Sequence, residues 1–340
     1  MSLSCRTEAL CNWLEQQFST DFIHLTALKG DAGFRRYFRF VHQNQSYIAV
    51  DSPADKCNNA SFISIAKTLK AHAVKVPEIY ACDQRNGFFC IEDFGNCLLS
   101  DKLSEHTMLG YYQQALVELD KIQTVQAVDG YSLTSYDGPF LQQEMAIFSQ
   151  WLVAEYLNIS LSQQQQRQLQ HCFDILESSA LAQPQCFVHR DFHSRNLMLT
   201  NDNQLAVIDF QDAVIGPVTY DLVSLLRDCY VRWPDALVCP LFAQYYQKFC
   251  RTAGQQFAEQ ISYDQFYQWF ELMGLQRHIK ASGIFARLYL RDNKPGYLAD
   301  IPLTLSYIVD VCGRYPQLQF LGDLVANIVL PAIKDKGADA

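Results

Sequence analysis

The feature that narrows this chain most is a spacing. Asp191 and Asn196 stand five residues apart in His189-Arg190-Asp191-Phe192-His193-Ser194-Arg195-Asn196, and Ile208-Asp209-Phe210 places a second carboxylate 18 residues after the first. Leu197 to Thr200 and Leu205 to Ile208 read as two short strands around Asn201-Asp202-Asn203, the composition of a tight hairpin. Such a hairpin folds Asn196 back toward Asp209, so that an amide and a carboxylate can share one hard divalent ion. Any one triplet here could be ordinary loop punctuation, but three polar positions at this spacing form a far narrower pattern.

The pattern follows the H-R-D-x-x-x-x-N and D-F-G signature of kinases, which points to phosphoryl transfer from ATP. The transferring group is loose, so the protein's task is to align a nucleophile and screen negative oxygens. Asp191 is expected to accept or orient the proton of a substrate hydroxyl, with Asn196 and Asp209 holding Mg²⁺. His189 reads as a scaffold that hydrogen-bonds backbone near Phe210 rather than as a base, and Arg190 as loop support. His193 stands where protein kinases carry Lys; neutralising the transferring phosphate and merely lining the loop both remain open.

Gly216-Pro217-Val218-Thr219-Tyr220-Asp221-Leu222 follows with only 11 residues between Asp209 and Asp221. No Ala-Pro-Glu is present, and there is no room for a long activation loop. This short form resembles the aminoglycoside phosphotransferase-like family, whose members look like protein kinases but phosphorylate small molecules. The resemblance implies an α+β, protein-kinase-like bilobal fold with a small β-rich N-lobe and a larger, mainly helical C-lobe. It also implies that Asp221 pins the catalytic-loop backbone. Gly30-Asp31-Ala32-Gly33-Phe34-Arg35-Arg36-Tyr37-Phe38-Arg39, His193 to Met198, Gln276-Arg277-His278-Ile279-Lys280 and Gly283 to Leu288 further resemble the bacterial anomeric kinases of N-acetylmuramate and N-acetylglucosamine in cell-wall recycling. ATP, Mg²⁺ and a small amino-sugar substrate are what that resemblance implies. A kinase of another small alcohol or an aminoglycoside, and an inactive kinase fold that binds a ligand, stay open as alternatives.

One position departs from the kinase pattern. Ser46-Tyr47-Ile48-Ala49-Val50-Asp51 aligns with V-A-I-K, yet Asp51 stands where the phosphate-binding Lys belongs. Either another cation serves, with Lys29, Arg35, Arg36 and Arg39 nearest, or nucleotide binding is impaired. Gly30-Asp31-Ala32-Gly33 could cradle phosphates through backbone N–H groups or be a plain turn. Glu92-Asp93-Phe94-Gly95 closes a strand at the expected hinge, where backbone meets an adenine edge; a simple strand end is the plainer alternative. The nucleotide candidates are therefore Gly30, Asp31, Ala32, Gly33, Arg35, Arg36, Glu92 and Phe94, with lobes expected over 1–95 and 96–340.

Helical periodicity runs through Met108, Tyr112, Ala115, Leu119 and Ile122, and again through Leu141, Met145, Phe148, Leu152 and Tyr156. Near the end, Arg277, Lys280, Arg287 and Arg291 share one helical side. They form either a solvated face or, at Arg277 or His278, a substrate contact in which an arginine pairs with a lactyl carboxylate. Arg195, Arg277 and His278 are the substrate candidates. Lys334 to Ala340 is polar and expected to fray. The formal charge of −9 disfavours nucleic acid. The 12 cysteines include no C-x-x-C pair and read as reduced thiols. No signal-peptide core or uninterrupted apolar run of membrane length is visible, so a cytoplasmic enzyme is expected.

Overall fold

The computed structural model describes residues 3–28, 33–252 and 260–338. The chain opens with α1 (Leu3–Phe18), β1 (Thr26–Ala27), β2 (Arg36–His42), β3 (Gln45–Asp51), α2 (Asn59–Ala71), β4 (Ile79–Asp83) and β5 (Phe88–Glu92). Next come α3 (Met108–Gln123), β6 (Thr134–Ser135), α4 (Gly138–Ile147), a π-helical stretch over Phe148–Tyr156, α5 (Gln163–Leu181), β7 (Gln185–Val188), β8 (Leu197–Leu199) and β9 (Leu205–Val207). The remaining elements include β10 (Val214–Pro217), α6 (Tyr220–Leu226), α7 (Asp235–Thr252), α8 (Tyr263–Asp292) and α9 (Ile301–Cys312). These fall into two compact units. Met1–Leu103, Asp120–Leu133 and Ser194–Ala213 form the first; Ser104–Leu119, Thr134–His193 and Val214–Ala340 form the second.

The first unit is built on an antiparallel sheet of order β1-β2-β3-β5-β4. Its β2–β3 hairpin turns through Gln43 and Asn44, both at positive φ, the geometry that matches strand twist in a two-residue loop. Alternation sends Phe38 and Phe40 inward, where they meet Leu10 and Leu14 of α1, and leaves Val41 in solvent. On α2, which Asn58 caps by accepting from Ser61 N–H at 3.1 Å, the buried Phe62 ring stands edge-on to Phe89 at 5.4 Å and stacks on Phe210 at 5.3 Å. Phe210 thus fixes the residue before it, Asp209, to the same packed layer. The β8–β9 hairpin pairs Leu197 with Val207.

In the second unit helices dominate, around a small sheet of order β6-β10-β7. Its core joins Leu141, Met145 and Phe148 to Leu275, Ile279 and Leu305. Helix α8 has 30 residues and ends where Asn293 turns left-handed at φ 53°. Its middle is buried on every side, Glu271 to Lys280 without interruption, a burial that polar side chains tolerate when they are paired. Here Gly283 touches the chain opposite so closely that a Cβ would stand 2.6 Å from backbone atoms of Ile147 and Phe148. The α4 helix does not continue regularly through Tyr156 as its periodicity suggests; it widens into the π-helical stretch beginning at Phe148. The polar end expected to fray continues as helix through Ala338. Among the described residues no helix is long and apolar enough to cross a membrane.

Candidate active site

Strand β7 delivers the catalytic-loop sequence, and Asp221 in the first turn of α6 receives it. The Asp221 carboxylate accepts from His189 N–H at 2.6 Å and from Arg190 N–H at 3.0 Å. Those bonds hold Arg190 at φ 77°, a conformation that costs a non-glycine residue about 1 kcal/mol or more and persists where surroundings over-determine it. Burial pushes the Asp221 carboxyl up to about 7, against the pull of the two N–H donors. His189 is fully buried, and its Nδ1 accepts from Asp191 N–H at 3.3 Å.

Beside this loop lies a buried polar cluster anchored by Glu144 of α4. Its carboxylate accepts from Arg190, from Lys280 Nζ at 3.0 Å and from the Tyr136 hydroxyl, while Gln276 Nε2 donates to the same hydroxyl at 2.7 Å. Lys280 also donates to the Tyr220 hydroxyl at 3.1 Å. Burial alone would push Glu144 up, but Lys280 and then Arg190 hold it below the usual carboxylate range. Asp191 behaves alike: burial raises it, and Lys280, His193, Arg190 and Arg277 outweigh burial and hold it at about 2. Asp191 is therefore a carboxylate at any ordinary pH, able to accept or orient a proton.

The basic side of α8 is not a solvated face at its N-terminal half. Arg277 and Lys280 are buried, whereas Arg291 is exposed and pairs with its neighbour Asp292. His278 stacks on Tyr307 at 4.5 Å, and its Nε2 lies 2.9 Å from Arg227 O. Burial pushes its imidazole down to about 3, so it is neutral. His193 is half-buried, edge-on to Tyr230 at 5.4 Å.

The metal candidates belong to the first unit. The β8–β9 hairpin closes with Ile208 N–H donating to Asn196 O at 3.1 Å, and Asn196 Nδ2 lies 3.5 Å from Asp209 Oδ2. Asp209 itself has φ 65°, a strained backbone at a functional candidate. Gln211 Nε2 donates to Asp209 Oδ1 at 2.8 Å and to Asp212 Oδ2 at 3.3 Å. The Tyr37 hydroxyl is pushed up to about 12 by burial and then by the charge of Asp209. An amide oxygen and a carboxylate with a second acid nearby are the donors a small hard cation takes, which fits Mg²⁺. Arg195 is half-buried in this unit, next to Asn196.

Asp51 has a structural occupation. It is fully buried and accepts from Arg6 Nε at 2.9 Å and from Arg36 Nε at 3.0 Å, each guanidinium adding a second bond. Arg36 is thus engaged by the very aspartate whose missing lysine it was to replace. Arg39 is held by Asp93, Asn96 and Gly95 O, and Arg35 donates to Ser52 Oγ at 3.0 Å and to Asn58 O at 3.4 Å. Glu92 pairs with Lys75 at 2.8 Å, and the Lys75 ammonium also lies over the Phe94 ring at 5.2 Å. Gly33 is an exposed bend; Lys29, Gly30, Asp31 and Ala32 lie outside the described residues.

Sequence reasoning missed Glu144, Tyr136, Gln276 and Gln211, and gave Lys280 no role of its own. A signal for Glu144 was present: it sits three residues after Leu141 and four before Phe148, on the apolar stripe of its helix, where an unpaired acid does not survive.

The sequence matches the model of the phosphotransferase enzyme family, APH, over residues 24–258. It is 38% identical over 333 residues to an N-acetylmuramate/N-acetylglucosamine kinase of Pseudomonas putida, covering 95% of this chain and 96% of that protein. A Neisseria meningitidis protein of the same name is 38% identical over 94% of this chain and 95% of its own. Among solved structures, the ADP-bound aminoglycoside phosphotransferase APH(2″)-Ib superposes with a TM-score of 0.54 at 14% identity, over 93% of this chain and 98% of that one.

Proposed function

The chain belongs to the phosphotransferase enzyme family, and from that premise we propose that it transfers the γ-phosphoryl group of ATP to the anomeric hydroxyl of N-acetylmuramate and N-acetylglucosamine. The observation that carries this reading is the near full-length identity to kinases that bear both sugar names. The chain retains Asp191, Asn196 and Asp209 at kinase spacing, which supports an active enzyme rather than a binding module. Asp51 lends nothing to an inactive fold, because its contacts with Arg6 and Arg36 account for it structurally. The place of these reactions is cell-wall recycling in the cytoplasm.

In this reading Asp191 accepts a hydrogen bond from the anomeric hydroxyl and fixes its lone pair toward phosphorus. Its low proton affinity makes it an orienting group that takes the proton late, as the loose transition state needs little prior deprotonation. Asp221, through the His189 and Arg190 amides, keeps the loop in its strained shape. Asn196 and Asp209 would hold Mg²⁺, which when bound screens the phosphate oxygens. Gly30, Asp31, Ala32, Gly33, Arg35, Glu92 and Phe94 serve as nucleotide contacts, with Arg36 confined to bracing β2 against β3 through Asp51. Arg195 and His193 contact substrate or phosphate.

The test is ADP release from Mg-ATP across amino sugars, aminoglycosides and choline-like alcohols, with NMR of the product's C1. Turnover of both N-acetylated sugars and none of their methyl glycosides is expected, and Asp191→Ala should lower kcat by roughly 10² to 10⁴. Equal turnover of a methyl glycoside sinks the anomeric assignment.

A further inference from the structure

The side chains of the buried cluster do not balance in charge. Glu144 is matched twice, by Arg190 and by Lys280, and Asp191 is negative. Asp221 is the remaining acid beside them, and burial drives it toward its neutral form. Arg277 is therefore a third cation against two settled anions. Its residue is 6% exposed, and its Nε and Nη1 have no hydrogen-bond partner among the described residues. Its guanidinium lies over the Tyr220 ring, 5.2 Å from the centroid, a contact that steadies the group while leaving its in-plane donors directed elsewhere. A buried guanidinium with two idle donors is costly unless something completes it.

Its surroundings say where that something would sit. Arg277 acts electrostatically on both Asp191 and Asp221, so it stands within range of the catalytic loop of the same unit. His278, its neighbour in sequence, is spent on Arg227 O and Tyr307 and cannot share the role. The complementary ligand is a planar oxyanion able to take two parallel N–H donors. The two sugars named for the relatives differ by one such group, the lactyl carboxylate that N-acetylmuramate carries and N-acetylglucosamine lacks.

We propose that Arg277 is the anion anchor of the acceptor site and receives the lactyl carboxylate of N-acetylmuramate through Nε and Nη1. The proposal rests on the amino-sugar kinase reading above. The same oxyanion chemistry could come instead from the transferring phosphoryl group, which both acceptors share, so the two sources separate by acceptor.

The experiment measures kcat and KM for both sugars in wild type, Arg277→Gln and Arg277→Lys, and for the methyl ester of N-acetylmuramate in wild type. Loss of a bidentate charged contact should reduce kcat/KM for N-acetylmuramate about tenfold to a hundredfold more than for N-acetylglucosamine, chiefly through KM. Lysine should restore part of the selectivity because it keeps the charge without the fork. The wild-type enzyme should handle the ester no better than the neutral sugar, an arm that holds even if the variants fail to fold. Equal losses for both sugars, expressed in kcat, would assign Arg277 to the phosphoryl group and overturn the proposal, as would wild-type turnover of ester and acid at the same kcat/KM. Wild-type turnover of neither sugar removes the kinase reading and the proposal with it, whereas turnover of both with selectivity unchanged in the variants removes the proposal alone.

Discussion

Replacing Glu144 by leucine should cost the second unit more stability than the loss of an ordinary salt bridge. Glu144 is the acceptor for Arg190, Lys280 and Tyr136 at once, so leucine strands two buried cations and a buried hydroxyl. Breaking one buried pair typically costs 3–5 kcal/mol, about 4 as a working value. The unit contains about 200 residues, and at ~2.1 cal/mol/K per residue its unfolding entropy is ~0.42 kcal/mol/K, so the melting midpoint should fall by ~9 °C. The pH dependence gives a second signature. Lys280 and Arg190 hold the folded Glu144 carboxyl below its unfolded value of 4.5, so its stabilising contribution is present above that pH and is lost as pH falls through the folded value. The gap between wild type and Glu144→Leu, followed by circular dichroism melts, should therefore be full at pH 7 and narrow below pH ~4. A gap under about 2 °C at pH 7, half of what even 1 kcal/mol would give in a unit of this size, would refute the reasoning. So would a gap that stays constant down to pH 3.

Three further outcomes follow from the same contacts. Asp51→Lys, which restores the kinase consensus, should set an ammonium against Arg6 and Arg36 and destabilise by several kcal/mol; urea titration with the midpoint unchanged, or tighter ATP binding by calorimetry, would contradict the structural role of Asp51. Gly283→Ala must part α8 from the chain at Ile147 and Phe148 and should cost about 1–3 kcal/mol; an unshifted urea midpoint would show that the contact yields freely. Lys280→Met removes the first of the charges that hold Asp191 at about 2, so burial gains and the Asp191 carboxyl rises. An acid limb should then appear in kcat/KM well above the wild-type one, and a limb that stays in place would detach Lys280 from Asp191.

What the sequence disclosed and what it withheld divide along physical lines. The strands and the α2 and α3 helices were legible because period-2 and period-3.6 patterns report which side of an element is buried. The catalytic-loop candidates were legible because their chemistry depends on short spacings along one stretch of chain. Asp51 was misread as a gap in the phosphate site because its partners, Arg6 and Arg36, lie 45 and 15 residues away, and no local rule joins them. The basic residues of α8 divided in the same manner. A charged stripe on a helix is ordinarily solvated, and the pattern of α8 alone cannot reveal that α4 and α6 cover Arg277 and Lys280.

Glu144 is where these two kinds of information meet. Arg190 is held in a left-handed conformation by backbone bonds to Asp221, and its guanidinium is then caught by Glu144, which Lys280 also engages from α8. Residues from four separate stretches therefore over-determine one loop, and that is the condition under which a strained backbone survives. A relaxed loop would lower the energy of Arg190 but break at least two charge-assisted contacts to do so, about 1.5–3 kcal/mol each, more than the strain it would relieve. The strained Arg190 and the buried polar cluster are thus one device, and a variant that loosens either should misplace Asp191 without touching it.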